Sequence, residues 1–200
     1  MLFVHRLKEP RIDPSAYVAP TAVICGDVSI GAESCIAFGA VLVAEGSPIV
    51  IGSRCVVREN ALIRSVTNHP VRIGDNVLIG PGSALTGCTV EDEVFLATGV
   101  TVFHDAIIKR AAEVRINAIV HIKTVVPEEA TVPIGWVAVG NPAKIFSPDR
   151  HDEIWAALRP LNFPALVYGV ERGPSGRADM PEITSRVTRL LMEHRHDRSV

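Results

Sequence analysis

The sequence predicts an all-β solenoid, a parallel coil of triangular turns followed by C-terminal α-helices. Three observations predict it. From Ile73 to Ile108 an aliphatic residue returns about every six positions, at Ile73, Ile79, Val90, Leu96, Val102 and Ile108, and a generally smaller residue stands four places after each, at Val77, Ser83, Val94, Val100, Ala106 and Ala112. Six is neither a helical period nor plain strand alternation; it suits flat sides that each bury one large side chain and fold one small one into the corner. Aromatic residues make up only 5% of a chain that is 48% apolar, which fits a narrow interior of stacked Val, Ile, Leu and Ala with little room for rings. The hexad pattern stops near residue 146, and helical patterning follows it.

Taken in order, the segment RIDPSAYVAPTAVICGDVSIG begins the ladder, with Val18, Ile24, Ile30, Ile36 and Leu42 in the large slot and Ala22, Val28, Ser34, Ala40 and Gly46 in the small one. Three extra residues precede Ile51, Val57 and Ile63, which pair with Cys55, Ala61 and Thr67; four more, within SVTNHPVR, precede Ile73. The step from Leu85 to Val90 is one residue short, and the period then runs unbroken through Val114, Val120, Val126 and Val132. Three sides make one turn, so the count gives about six turns across residues 11–146. Extra residues are loops thrown out at corners, where stacked folds carry function. Residues 147–200 form a helical extension. Ser147 before Pro148 marks a helix start, and Ile154, Trp155 and Leu158 supply its apolar stripe. A second helix is expected from about Pro181 to His194, with Ile183, Val187, Leu190 and Leu191 on one face. The Pro/Gly-rich stretch between them reads as irregular. Such helices are expected to cap the open end of the coil or cover one side.

With 20 basic and 22 acidic residues the net charge is −2, which gives no footing for a nucleic-acid or anionic-membrane partner. No apolar run approaches a membrane span, and Met1 to Pro10 lacks the apolar core of a secretory signal, so a cytoplasmic protein is expected. Cys25, Cys35, Cys55 and Cys88 form no CxxC spacing and read as buried free thiols rather than as a disulfide or metal set.

The blocks RIDPSAYVAPTAVICGDVSIG, GSPIVIGSRCVVRENALIR, PVRIGDNVLIGPGSALTGC and the exit VAVGNPAK together resemble the gamma-class carbonic anhydrase family of hexapeptide-repeat proteins, over about Arg11 to Leu158. The exit motif is shared with hexapeptide acyltransferases. The resemblance implies a left-handed β-helix, a homotrimer of parallel prisms, and active sites at the subunit boundaries that each hold zinc on three histidines. The positions matching those histidines are Arg64, Pro81 and Thr86. Proline offers no donor, a threonine hydroxyl is a poor zinc ligand, and arginine stays protonated. Arg64 also sets a positive charge where the cation belongs. Where relatives carry an arginine and an aspartate the chain has Leu42 and Ala44, although Glu45 remains, and Arg58 stands near the glutamine position. No metal ligand is therefore assigned, no cofactor is expected, and hydration of carbon dioxide lacks its usual nucleophile.

Stacking every third repeat aligns Leu42, Ile63, Leu85, Val102 and Val120, so Val43, Arg64, Thr86, Phe103 and His121 form a row on one edge, with His104 beside Phe103 and the loop bearing His69 nearby. This row is the candidate pocket. In the leading reading Arg64 and Arg58, with Thr86, grip a small anionic metabolite at the trimer interface, and His104, His69 or His121, with Glu45, handles protons. The competing readings are a CoA-dependent acyltransferase, in which a histidine deprotonates the acceptor; a non-catalytic trimeric binding or scaffold protein; and a carbonic anhydrase whose metal has moved to His69, His104 and His121. Arg58, Arg64 and Arg115 also suit inter-subunit ion pairs with Glu45, Glu59 or Glu113. His194 and His196, in a polar tail, receive no role.

Overall fold

A computed structural model describes residues 1–200. The ladder folds into a triangular parallel β-helix whose sides are three sheets of short strands. One side stacks eight parallel strands, from Leu2–Val4 through Val23–Cys25, Val41–Ala44, Leu62–Ser65 and Ala84–Thr86 to Val137–Val139; the other two sides hold seven strands each. The coil is thus about eight rungs deep on its longest side rather than the six turns expected. The difference has a simple source: Leu2–Val4, ahead of the hexad segment, pairs in parallel with Val23–Cys25, and Arg11–Ile12 with Val28–Ile30 and Val137–Val139 with Ile119–Val120 each add a side one hexad step beyond Val18 and Val132, the outermost large-slot residues assigned.

The core is the predicted one, except that Cys35, read as a buried thiol, is exposed because strand alternation turns it outward beside the buried Ile36. From Ile24 to Val132 the large-slot residues are at most 3% exposed, and Ala22, Ser34, Ala40, Cys55, Ala61, Val77, Val94, Val100, Ala106 and Ala112 fill the corners between them. Two small-slot assignments do not hold. Gly46 and Thr67 are exposed because each loop leaves the coil before that slot is reached, and Ile49 and Val71 take up the core afterwards. Corners turn on residues in the left-handed backbone region, among them Asn60, Asn76, Asp105, Asn117 and Lys123, all at φ between 56° and 66°. The glycine column needs its missing side chains: a Cβ on Gly52 would lie 2.3 Å from the Asp75 carboxylate and 2.5 Å from the Gly74 carbonyl oxygen on the next rung.

The helical extension differs from expectation in detail. Helix α1 spans His151–Leu158 and begins after Arg150, not at Ser147, whose hydroxyl is instead bonded to Asp149. Its Ile154 packs with Val139 and Phe146 over the end of the coil. The stretch expected to be irregular contains a short helix, α2, at Phe163–Tyr168, started by Pro164 in its first turn and stopped by Gly169 at φ +66°. Helix α3 spans Met180–Leu191, capped by Asp179, whose carboxylate accepts from the Glu182 amide at 3.2 Å. The tail then turns back, and Arg198–Ser199 pairs antiparallel with Leu2–Val4. No helix is long and apolar enough to cross a membrane.

Candidate functional site

The corner that follows the eight-rung side gathers most of the chemistry. Strand pairing reproduces the predicted row: Arg64 lies opposite Val43 on one neighbour and Thr86 on the other. The Phe103 and His121 amides continue the ladder by donating to Val120 and Ala138. Both corner insertions leave the coil here, and the second closes as a small hairpin between Val66 and His69. Helices α2 and α3 fold back over the row and enclose a cavity of about 560 Å³. Glu45, Arg64, Thr86, Phe103 and His104 line it from the coil; Phe163, Val167, Tyr168, Ile183, Val187 and Leu190 line it from the helices.

Arg64 is its principal cation. Its Nη2 stands 3.3 Å from Glu45 Oε1, whose side chain is only 4% exposed, while its Nε is buried without a hydrogen-bond partner. The other cavity arginine, Arg186, is engaged by Glu182 at 2.6 Å and by the Gly169 carbonyl at 2.9 Å. Arg64 is thus the one with donors to spare.

His104 is buried, and its Nδ1 has no partner. Burial pushes its pKa down to about 4, with repulsion from His69 adding to the fall and Asp105 opposing it. A neutral imidazole with so weak a basicity is a hydrogen-bonding and contact group at pH 7 rather than an effective base. His121 lies outside the cavity lining; its ring is 5.4 Å from Phe103 and 5.8 Å from Phe163, and burial lowers its pKa too. His69 is not in the lining either. Its Nδ1 sits 2.7 Å from Asp105 Oδ1, and its ring meets His104 edge-on at 5.3 Å. An aspartate on Nδ1 fixes the orientation of the ring and, in its neutral form, the tautomer. Gly87 makes this contact feasible: a Cβ there would come within 2.6 Å of the His69 Cβ.

Of the sequence-derived candidates, Glu45, Arg64, Thr86 and His104 meet in the cavity, while Arg58 lies away from it, paired with Glu59 at 3.0 Å. The ion pairs Arg58 with Glu59, Arg64 with Glu45, and Arg115 with Glu113 all form within one chain. Asp105 escaped the sequence reading although it follows His104 directly. The aromatic wall of Phe163 and Tyr168 carried no sequence signal, because only the return of the tail brings it to the coil.

Residues 70–104 match the family model "Hexapeptide repeat of succinyl-transferase". A carbonic anhydrase from Geobacillus kaustophilus is 30% identical over 154 residues, covering 77% of this chain and 81% of that protein. The chain belongs to the gamma carbonic anhydrase-like family of hexapeptide-repeat proteins. Within this family, mitochondrial gamma carbonic anhydrase 1 of Arabidopsis thaliana is 36% identical over 153 residues, or 74% of this chain, and the chain spans about half (54%) of that protein's length. Among solved structures, a UDP-N-acetylglucosamine acyltransferase from Bacteroides fragilis superposes with a TM-score of 0.57 at 17% identity, covering 92% of this chain and 89% of that one. A hexapeptide transferase family protein from Anaplasma phagocytophilum gives 0.51 at 19%, covering 96% and 95%. These two likenesses concern the fold alone.

The gamma carbonic anhydrase-like family implies a zinc site, and the residues at its positions do not fit one. Arg64 is a permanent cation with no lone pair to offer, Thr86 beside it offers a neutral hydroxyl, and Pro81 has no donor atom.

Proposed function

We propose that this gamma carbonic anhydrase-like chain works as a homotrimer, without metal at the family position, and binds a small carboxylate with an apolar body in the cavity under α2 and α3. The observation that carries the reading is Arg64: a guanidinium with unused donors inside a cavity whose wall includes Phe103, Phe163, Tyr168 and Val187. The cation selects a carboxylate head, and the aromatic and aliphatic wall selects an apolar body. Thr86 adds a hydroxyl beside the head group. The weak basicity of His104 favours binding over proton transfer there. Trimer formation is supported by an outward apolar row, Tyr17, Cys35, Val56, Leu78 and Phe95, in register along one side of the prism. Tyr17 and Phe95 remain 52% and 37% exposed in the single chain.

A second reading, CoA-dependent acyl transfer, has one observation in its favour: the His69–Asp105 pair at 2.7 Å, an oriented imidazole adjoining the cavity. One experiment separates the two. Aryl and alkyl carboxylates and CoA esters are screened by thermal shift and calorimetry against the chain and its Arg64→Gln variant, in which the amide still donates to Glu45. A carboxylate at a hundred times its Kd stabilises the native chain by about 2.7 kcal/mol, and Arg64→Gln weakens it roughly tenfold or more by removing a charge-assisted bond. Stabilisation by CoA esters alone favours transfer. Carboxylate affinity unchanged by Arg64→Gln refutes the binding mode.

A further inference from the structure

A second constellation lies at the same corner, two rungs toward the N-terminus, and joins parts of the chain far apart in sequence. Asp197, in the returning tail, accepts three contacts on one carboxylate: His5 Nδ1 at 2.6 Å from Oδ1, and His194 Nδ1 at 2.7 Å and Cys25 Sγ at 3.3 Å from Oδ2. One ligand atom from each of His5, Cys25, His194 and Asp197 can be chosen so that all four lie within 4.8 Å of one another. His5 and Cys25 are each 3% exposed. The polar tail thus supplies two members of the set, and Cys25 is not an isolated core thiol.

We propose that His5, Cys25, His194 and Asp197 form a structural zinc site, separate from the position that holds metal in the family. The donor set is chemically suited: two imidazoles, one thiolate and one carboxylate are borderline-soft to hard ligands of the kind zinc takes in a closed tetrahedral site. Thiolate and carboxylate together carry two negative charges, matching the cation. Ligand bonds of about 2.0–2.3 Å put tetrahedral donors roughly 3.4 Å apart, so loading asks the widest pair to close by up to about 1.4 Å and the short contacts on Asp197 to open by somewhat less. His5 and His194 now stack with ring centroids 4.3 Å apart and must splay to admit the ion. The three contacts on Asp197 mark what binding displaces: any proton shared between a donor and the carboxylate goes to solvent as the metal takes its place. Without a cation, burial pushes the Cys25 thiol up to about 12, with Asp197 and Glu45 adding to the effect; a bound dication inverts that balance, since a coordinating thiol is deprotonated outright.

An outer contact completes the arrangement. Glu45 Oε1 stands 3.7 Å from His194 Nε2, beyond hydrogen-bond distance but on the side of the ring away from Asp197, where a carboxylate orients a ligating imidazole once the two close up. The same Glu45 oxygen pairs with Arg64. The site therefore fastens the segment that follows α3 to the first and fourth strands of the chain, beside the cavity that α3 roofs.

The full chain, stripped with chelator and titrated with cobalt(II) and then zinc, tests the proposal. One equivalent of cobalt is expected to raise a sulfur-to-metal charge-transfer band with tetrahedral d–d absorption, and zinc to displace it while protecting one thiol from modification. Cys25→Ser should abolish the band, and His194→Ala, on the partly exposed tail and tolerable to folding, should weaken binding at least tenfold. No band in the native chain, or one that survives both substitutions, overturns the site and leaves a purely hydrogen-bonded tether. Because the cavity presents no cysteine, the sulfur band also separates this zinc from any metal held by His69, His104 and His121.

Discussion

At the scale of single residues, burial decides how the candidate site titrates. The His104 pKa falls from 6.5 to about 4 in the native chain, mainly because burial disfavours the charged ring. Below pH 6.5 the unfolded chain takes up a proton that the native chain refuses, so stability is full above that pH and declines as pH falls toward 4. A shift of this size corresponds to a loss on the order of 3 kcal/mol at the acid end. Carboxylates also protonate in that range, so the measurable quantity is the difference from His104→Gln in urea unfolding at stepped pH: the variant should lose less stability between pH 6.5 and 4. Identical pH profiles would show that His104 is not buried as described. Gly87 offers a second test. At φ +55° and with the His69 Cβ 2.6 Å from any added methyl, Gly87→Ala should destabilise by about 1–3 kcal/mol and disturb the His69–Asp105 pair.

At the scale of elements, the coil and the helical tail obey different rules. Each rung of the coil buries its hexad pair against the next, so its stability is a sum of neighbour contacts. Helix α3 instead depends on one buried anchor, Ile183, and on the Asp179 cap. Asp179→Ala should loosen α3 by about 1 kcal/mol, seen as faster amide exchange across Met180–Leu191 with the coil unchanged. Because α3 roofs the cavity, the same variant should bind a carboxylate ligand several-fold more weakly. Exchange that rises equally in coil and helix would mean that the two do not act as separate units.

At the scale of the whole molecule, one side of the prism carries an outward apolar row over five rungs, from Tyr17 to Phe95, before Glu113 ends it. Leu78 and Phe95 are paired partners in the apolar row, and strand alternation turns them away from the buried Ile79 and Leu96. A coil needs no apolar residues on its outer surface for its own stability, and the proposed trimer gives such a row a surface to cover it. Phe95→Glu should turn the proposed trimer into monomers in light scattering or sedimentation, with the circular dichroism of the coil retained. A native chain that is monomeric at micromolar concentration would remove the oligomer from the proposal.

Much of this protein was legible in the sequence. The hexad at Ile73, Ile79, Leu96 and Ile108 fixes which side chains go inward, and counting three sides per turn places Arg64 beside Thr86 before any coordinate is known. A solenoid allows this because every contact lies one turn away, which makes position in the chain nearly equivalent to position in space. The tail obeys no such period. That α2 and α3 cover the Arg64 row, and that His194 and Asp197 come to rest against His5 and Cys25, follows from helices seeking apolar cover across nearly the whole chain length. Local spacing carries no trace of contacts formed at such separation, and tertiary packing alone decided them.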